Sequence, residues 1–287
     1  MFVIGGCIIV LIAVLVGFTM AGGHVGALVH PSELITIGGS SLGAMIVMAP
    51  KQVLLDLLRC MLQLIKGSPY SKQTYVELFG LLGEIARKIR RDGMLALEPM
   101  VTDPHNDPLL AKYPRIAKNH HACDFLCGGL SLFLDGINDA EQLTREMQKE
   151  IAVIEREHHA AIGVLQKTAD ALPGFGIVAA VLGIVITMQA IDGPASEIGH
   201  KVGAALVGTF LGILLSYGFF APMASRMELL GEAEITFLRS VMSAIISLSA
   251  GESAREVILR ARRVIGTESR PSLSETEALA KEGAAAA

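Results

Sequence analysis

Charge is missing where a soluble chain would scatter it. Residues 2–21, 34–50, 171–191 and 202–224 contain no Asp, Glu, Lys or Arg, and about 20 such residues suffice to cross a bilayer. Those stretches exclude an ordinary soluble domain and mark an integral membrane protein. They also leave any ion moving through the spans without a carboxylate of this chain to carry it, so the carrier has to come from another protein. Cysteine is scarce too: of the four, one falls in a span and three on the polar side, which excludes a disulfide framework and leaves reduced thiols. No basic residue precedes the first apolar run. That run is long for a secretory signal, so an uncleaved span is expected despite the loosely cleavage-like Thr19, Met20 and Ala21. The polar middle, 51–169, sets 15 basic residues against 15 acidic ones and offers no basic stripe to nucleic acid. A phosphate loop, a nucleophile elbow and a paired-carboxylate site are all lacking, so nothing points to an enzyme or to a cofactor. No fixed-period repeat and no strand-like alternation occurs.

What is present is a chain of 287 residues, 52% hydrophobic, with its charge confined between and after the apolar runs. The expected fold is all-α and membrane-integral, with four transmembrane helices and a helical cytoplasmic domain. Its parts are a hairpin over 1–50 (spans 2–21 and 34–50), a cytoplasmic domain over 51–169, a second hairpin over 170–224 (spans 171–191 and 202–224), and a C-terminal helix and tail over 225–287. Residues 223–287 add 8 basic side chains, whereas the connectors 22–33 and 192–201 share only Lys201. The positive-inside rule therefore puts the middle, the tail and both termini in the cytoplasm.

Leu recurs at helical spacing through 51–66, which reads as a continuation of the second span. Gly67, Ser68 and Pro69 stop it, and Ser71 caps a helix with apolar positions 78, 81, 82, 85 and 89 on one face, ended by Asp92 and Gly93. The segment DPHNDPLLAKYP is a Pro-punctuated loop before a helix near 116–135. From Asp139 a charged helical pattern leads into the third span. After the fourth, 223–265 reads as one long amphipathic helix, and EALAKEGAAAA as a frayed or disordered tail.

Five groups could carry function. Ala204, Gly208, Gly212 and Ser216 recur every fourth residue, and Gly176, Ala180, Gly183 and Thr187 follow similar spacing; small faces let helices approach closely in lipid. Packing within one bundle is the plain reading, and contact with sister copies or a partner's spans the sharper and favoured one. Thr187, Thr209 and Tyr217 could touch an ion or its water, although a membrane Thr ordinarily bonds a preceding carbonyl. Pro173 and Pro222 suggest bends where membrane helices meet cytoplasmic ones. His120, Cys123 and Cys127 share spacings that suit zinc but lack a fourth ligand, so no metal is expected. The run Arg87, Lys88, Arg90, Arg91, Asp92 with Glu98 reads by default as solvated charge.

With GLLGEIARKIRRDGMLALEP and PGFGIVAAVLGIV...GTFLGILLSYGFFAP in place, nearly the whole chain resembles the MotA stator subunits of bacterial flagellar motors, in the MotA/TolQ/ExbB proton channel family. The resemblance implies a homo-oligomeric ring of five copies in inner-membrane lipid around two copies of MotB, whose single span carries the ion-binding Asp. It implies contacts to the rotor protein FliG at Arg90 and Glu98 and motion coupling at Pro173 and Pro222. It puts Thr209 beside the partner's Asp, and Ala180, where sodium-driven relatives carry Thr, favours protons. Stators of the ExbB or TolQ type, with three spans, and a stand-alone metal-regulated channel are the alternatives.

Overall fold

The computed structural model describes residues 2–137 and 139–282. Among them every regular element is helical. Contacts divide the chain into two units, one of residues up to Gly67 with Glu157–Leu230, the other of Ser68–Arg156 with the residues from Gly231.

The first unit holds the apolar helices. Helix α1, Phe2–Met20, buries no residue at all at a mean hydropathy of 2.8, so its surface suits lipid or another chain. A short turn, Val25–Leu28, leads to α2, Pro31–Met48. Pro31 at the first turn starts this helix three residues before the uncharged stretch begins, and so brings in Glu33, which is 7% exposed. The expected continuation of the second span into 51–66 does not occur. Ala49 and Pro50 adopt extended backbone and α3, Lys51–Lys66, starts afresh, because a proline disfavours helix in the residue before it. Leu57 and Leu64 of α3 pack with Ala161, Val164 and Leu165 and with Ala224, Met227 and Leu230.

Helix α9 runs unbroken from Ala140 to Met188, 49 residues with Pro173 inside it. Helix α10, Ala195–Leu215, begins before the uncharged stretch, and Lys201 is paired with Glu197 one turn away at 2.8 Å. Among the described residues, three helices are long and apolar enough to cross a membrane: α1, α9 and the helical run Ala195–Ser249. The last is not uniform, for a π-turn at Ser216–Phe220 separates α10 from α11, Ala221–Ser249.

The second unit is built on α4, Lys72–Asp92. Ser71 caps it as expected, its Oγ accepting from the Thr74 N–H in a reciprocal box, and Gly93 ends it at φ +81°. The Pro-punctuated segment 103–114 and its flanks are more helical than the sequence suggests: α5 (Glu98–Thr102) before it, α6 (Pro108–Ala111) within it and α7 (Pro114–Ala117) at its end each start on or next to a proline, which tolerates a first turn. Helix α8, His120–Leu134, then buries Cys123, Phe125, Leu126, Cys127 and Leu130. Tyr75, Leu78, Phe79, Leu82 and Ile85 of α4 meet them in one core with Phe237, Leu238, Val241, Val257 and Ile258.

The C-terminal region departs from expectation. No single helix runs to 265: α11 stops at Ser249, Gly251 turns the chain at φ +71°, and α12, Ala254–Arg263, restarts behind a Ser253–Glu256 capping box. The tail is ordered as α13, Leu273–Glu282, over most of the stretch expected to fray. Ser272 accepts from the Glu275 N–H, Glu275 pairs with Lys72 at 2.8 Å, and Leu279 packs on the core. Residues 283–287 lie outside the described residues.

Candidate functional site

The small residues of α9 and α10 face each other within one chain. A Cβ placed on Gly176 would stand 2.8 Å from the Gly208 carbonyl oxygen and 3.1 Å from the Gly212 Cα; one on Gly212 would stand 2.7 Å from the Leu172 carbonyl oxygen. One on Gly183 would meet the Ala205 Cβ at 2.8 Å, and one on Gly208 the Ala179 Cβ at 3.1 Å. Only glycine permits such an approach. Gly176, Gly183, Gly208 and Gly212 thus lock α9 to α10 within one chain, which is the plain reading of their spacing. Ala204 is not in the lock. Ala205, 2% exposed, takes that place, while Ala204 lines an apolar crevice with Val14, Phe18 and His30.

The polar candidates divide in the same way. Thr187 is buried and donates to the Gly183 carbonyl at 2.8 Å, the back-bond that a helical Thr ordinarily makes. Ala180 sits at the lock, its backbone nitrogen 3.3 Å from where a Gly208 Cβ would be, and the Thr209 backbone abuts Gly176. Tyr217 is 67% exposed.

Proline acts differently at its two positions. At Pro173 the helix continues, although the ring removes a donor. At Pro222 the backbone is rewired upstream: the Ala221 N–H reaches back five residues to the Ser216 carbonyl. A π-turn directly before a residue that cannot donate relieves the strain of an uninterrupted α-helix. Its first residue, Ser216, is fully buried and its hydroxyl has no partner among the described residues. Spacing alone could not reveal the π-turn, because Ser216 continues the four-residue rhythm of Ala204, Gly208 and Gly212.

In the second unit the charged run ends α4. Arg90 and Glu98 are both exposed, on either side of the Gly93 turn. Arg91 holds Asp92 through two bonds of 2.9 and 2.8 Å. Arg87 is half-buried and its Nη1 has no acceptor among the described residues. The residues once weighed for zinc part company: Cys123 and Cys127 are in the core, His120 is exposed and lies edge-on to His105. No group of three metal-ligating side chains converges among the described residues.

Sequence reasoning overlooked a buried acid on α8's neighbour. Glu234 of α11, 4% exposed, bonds His121 Nδ1 at 2.8 Å. Tyr70 accepts from Asn119 at 3.1 Å, and burial beside Glu234 pushes its hydroxyl far above the usual range. Its neighbours Ala233 and Ile235 are apolar, but Glu232 two residues earlier made it read as one of a run of solvated acids.

Two family models match the chain, one towards each end. Residues 4–93 match the family described as Motility protein A N-terminal, and 117–240 the MotA/TolQ/ExbB proton channel family. Motility protein A of Salmonella typhimurium is 34% identical over 96% of this chain and 94% of its own. The chemotaxis protein LafT of Vibrio parahaemolyticus is 33% identical over 95% of each. Among solved structures, that of C. jejuni MotAB superposes with a TM-score of 0.77 at 20% identity, covering 94% of this chain and 98% of that one. The flagellar MotAB stator complex of Bacillus subtilis gives 0.72 at 24% identity over 88% and 91%. An all-helical chain with a glycine-locked apolar helix pair, matched from end to end by such relatives, belongs to the motility protein A family of the MotA/TolQ/ExbB proton channels.

Proposed function

We propose that this chain is a stator subunit of a bacterial flagellar motor, coupling proton flow across the inner membrane to torque on the rotor. The observation that carries the reading is the α9–α10 lock: two apolar helices with no acid over 171–191 or 202–224, fixed glycine to glycine and rewired just beyond at Pro222. An ion path along such a pair needs its carboxylate from outside. In our reading a MotB-like single-span subunit supplies an intramembrane Asp against Ala180, Thr187, Thr209 and Tyr217, with Ala180 favouring protons over sodium.

The topology we propose has four crossings, by α1, α2, the C-terminal part of α9, and α10, with both termini cytoplasmic. The distribution of 15 and 8 basic residues over 51–169 and 223–287 supports it. Five copies would form the ring, and the exposed apolar faces of α1 and of Val181, Ile184 and Val185 suit sister copies and lipid. One proton crossing 100 mV releases about 2.3 kcal/mol, enough to bias a two-state equilibrium about fifty-fold. Neutralising the partner's Asp would let the ring step, Pro173 and Pro222 would pass the change on, and Arg90 and Glu98 would engage FliG.

Co-purification from native membranes tests the reading. The expected result is a single-span protein with an intramembrane Asp held with this chain. A three-crossing topology by cysteine accessibility, or a complex without such a partner, would favour a stator of the ExbB or TolQ type or overturn the reading.

A further inference from the structure

A groove of about 990 Å³ runs along α4 in the second unit. Its acids are already occupied. Glu84 accepts from Lys112 Nζ at 2.9 Å and from the Tyr113 hydroxyl at 2.8 Å; partial burial raises its pKa, but these two donors outweigh it and hold the carboxyl below the usual range. Glu77 accepts from the Arg115 N–H at 3.0 Å and faces its guanidinium at 3.5 Å. Arg91 is taken by Asp92. Arg87, Lys88 and Arg90 line the groove with no ion pair among the described residues, and Arg87 Nη1 is buried without an acceptor. Three cations within four residues line a cleft whose two acids already hold donors, and one guanidinium nitrogen of Arg87 lacks an acceptor.

We propose that this groove binds a small polyphosphate anion, free or as the phosphate chain of a nucleotide. Guanidinium takes phosphate oxygens in pairs and ammonium takes them as a point charge, so Arg87 and Lys88 are the anchors. Val76, Pro108, Leu109 and Leu279 close the other end and offer an apolar seat for a base. Occupancy would also neutralise Arg90; this consequence rests on the rotor contact proposed above, and makes the anion a competitor of the rotor.

The test is calorimetric titration of the chain, purified in detergent with its partner subunits, with tripolyphosphate and with ATP at low and at physiological ionic strength. Saturable binding that weakens with salt and falls about tenfold or more in both Arg87→Gln and Lys88→Gln, but not in Lys118→Gln, is expected. Because Arg87 Nη1 is buried, Lys88→Gln serves where Arg87→Gln fails to fold. ATP binding as tightly as tripolyphosphate or tighter assigns the nucleotide, and weaker binding the free anion. No saturable binding, or binding unchanged in both variants, overturns the site. Binding that leaves the affinity of a rotor fragment unchanged overturns the competition alone.

Discussion

One methyl group is too much at Gly212. Its Cβ would stand 2.7 Å from a backbone oxygen and 2.9 Å from the Gly176 Cα, and neither backbone can swing aside as a flexible side chain would. Gly212→Ala is therefore expected to cost about 1–3 kcal/mol, and Gly212→Leu to part α9 from α10 while leaving the second unit folded. Limited proteolysis of the two variants checks this; a Gly212→Leu protein as resistant as wild type would dismiss the lock. Spacing made these glycines legible as a packing face, but whether that face meets its own chain or another depends on how two helices are rotated, which a single helix's rhythm does not encode. Arg90 and Glu98 pose the opposite case. Both are exposed, so reversing either should change stability by no more than about 0.5 kcal/mol. Under the proposed rotor contact, Arg90→Glu or Glu98→Lys should sharply weaken swimming with assembly and proton flux intact, and a complementary reversal on the rotor protein should restore part of it. Normal swimming by both variants at low ionic strength would reduce the cluster to solvated charge.

Helix α13 depends on the charge of Glu275. Lys72 and the N–H and hydroxyl of Ser272 push its carboxyl down to about 2. A value depressed in the folded chain means that the contribution is complete above the ordinary Glu value of about 4.3 and fades as pH falls from there towards 2. The protection factor of the Leu279 amide, its exchange corrected for the intrinsic rate at each pH, should accordingly fall over that window, and Glu275→Gln should remove the fall. Equal protection at both ends of the window in the wild type would refute the dependence. The same helix shows what stayed hidden in the sequence. Ser71 with an apolar face behind it was readable as a start, and so was the stop at Gly93. The restarts behind Ser253 and Ser272 were just as local, yet helix-compatible spacing continues across Gly251 and the alanine-rich end masks the Ser272–Glu275 box. Pro50 was overlooked for a similar reason, since leucines on both sides keep one rhythm while the backbone between them is extended.

Across the whole chain, conduction is a test of completeness. Reconstituted alone in liposomes with a pH gradient, the protein is expected to carry no proton flux above lipid, because its uncharged stretches lack a carrier. Of the acids that border them, Asp170 and Asp192 are exposed, and Glu33 in the first turn of α2 is buried. A robust flux from the chain alone that disappears in Glu33→Gln would put the carrier in this protein and refute the need for a partner's Asp. The run Ser216–Phe220 also sets how the chain can change length. A π-turn is an α-helix holding one residue too many, absorbed locally so that the faces before and after it keep their phase. Deleting a single residue there would restore an ordinary helix and leave its flanks close to their present faces. Deleting one from within α10 would instead advance everything beyond it by about 1.5 Å and turn it by about 100° relative to the glycine lock. Ala224, Met227 and Leu230, now in the core with Leu57 and Leu165, would then point elsewhere. The surplus residue thus acts as slack between the glycine lock and the core beyond it, a place where the chain can shorten by one without losing register.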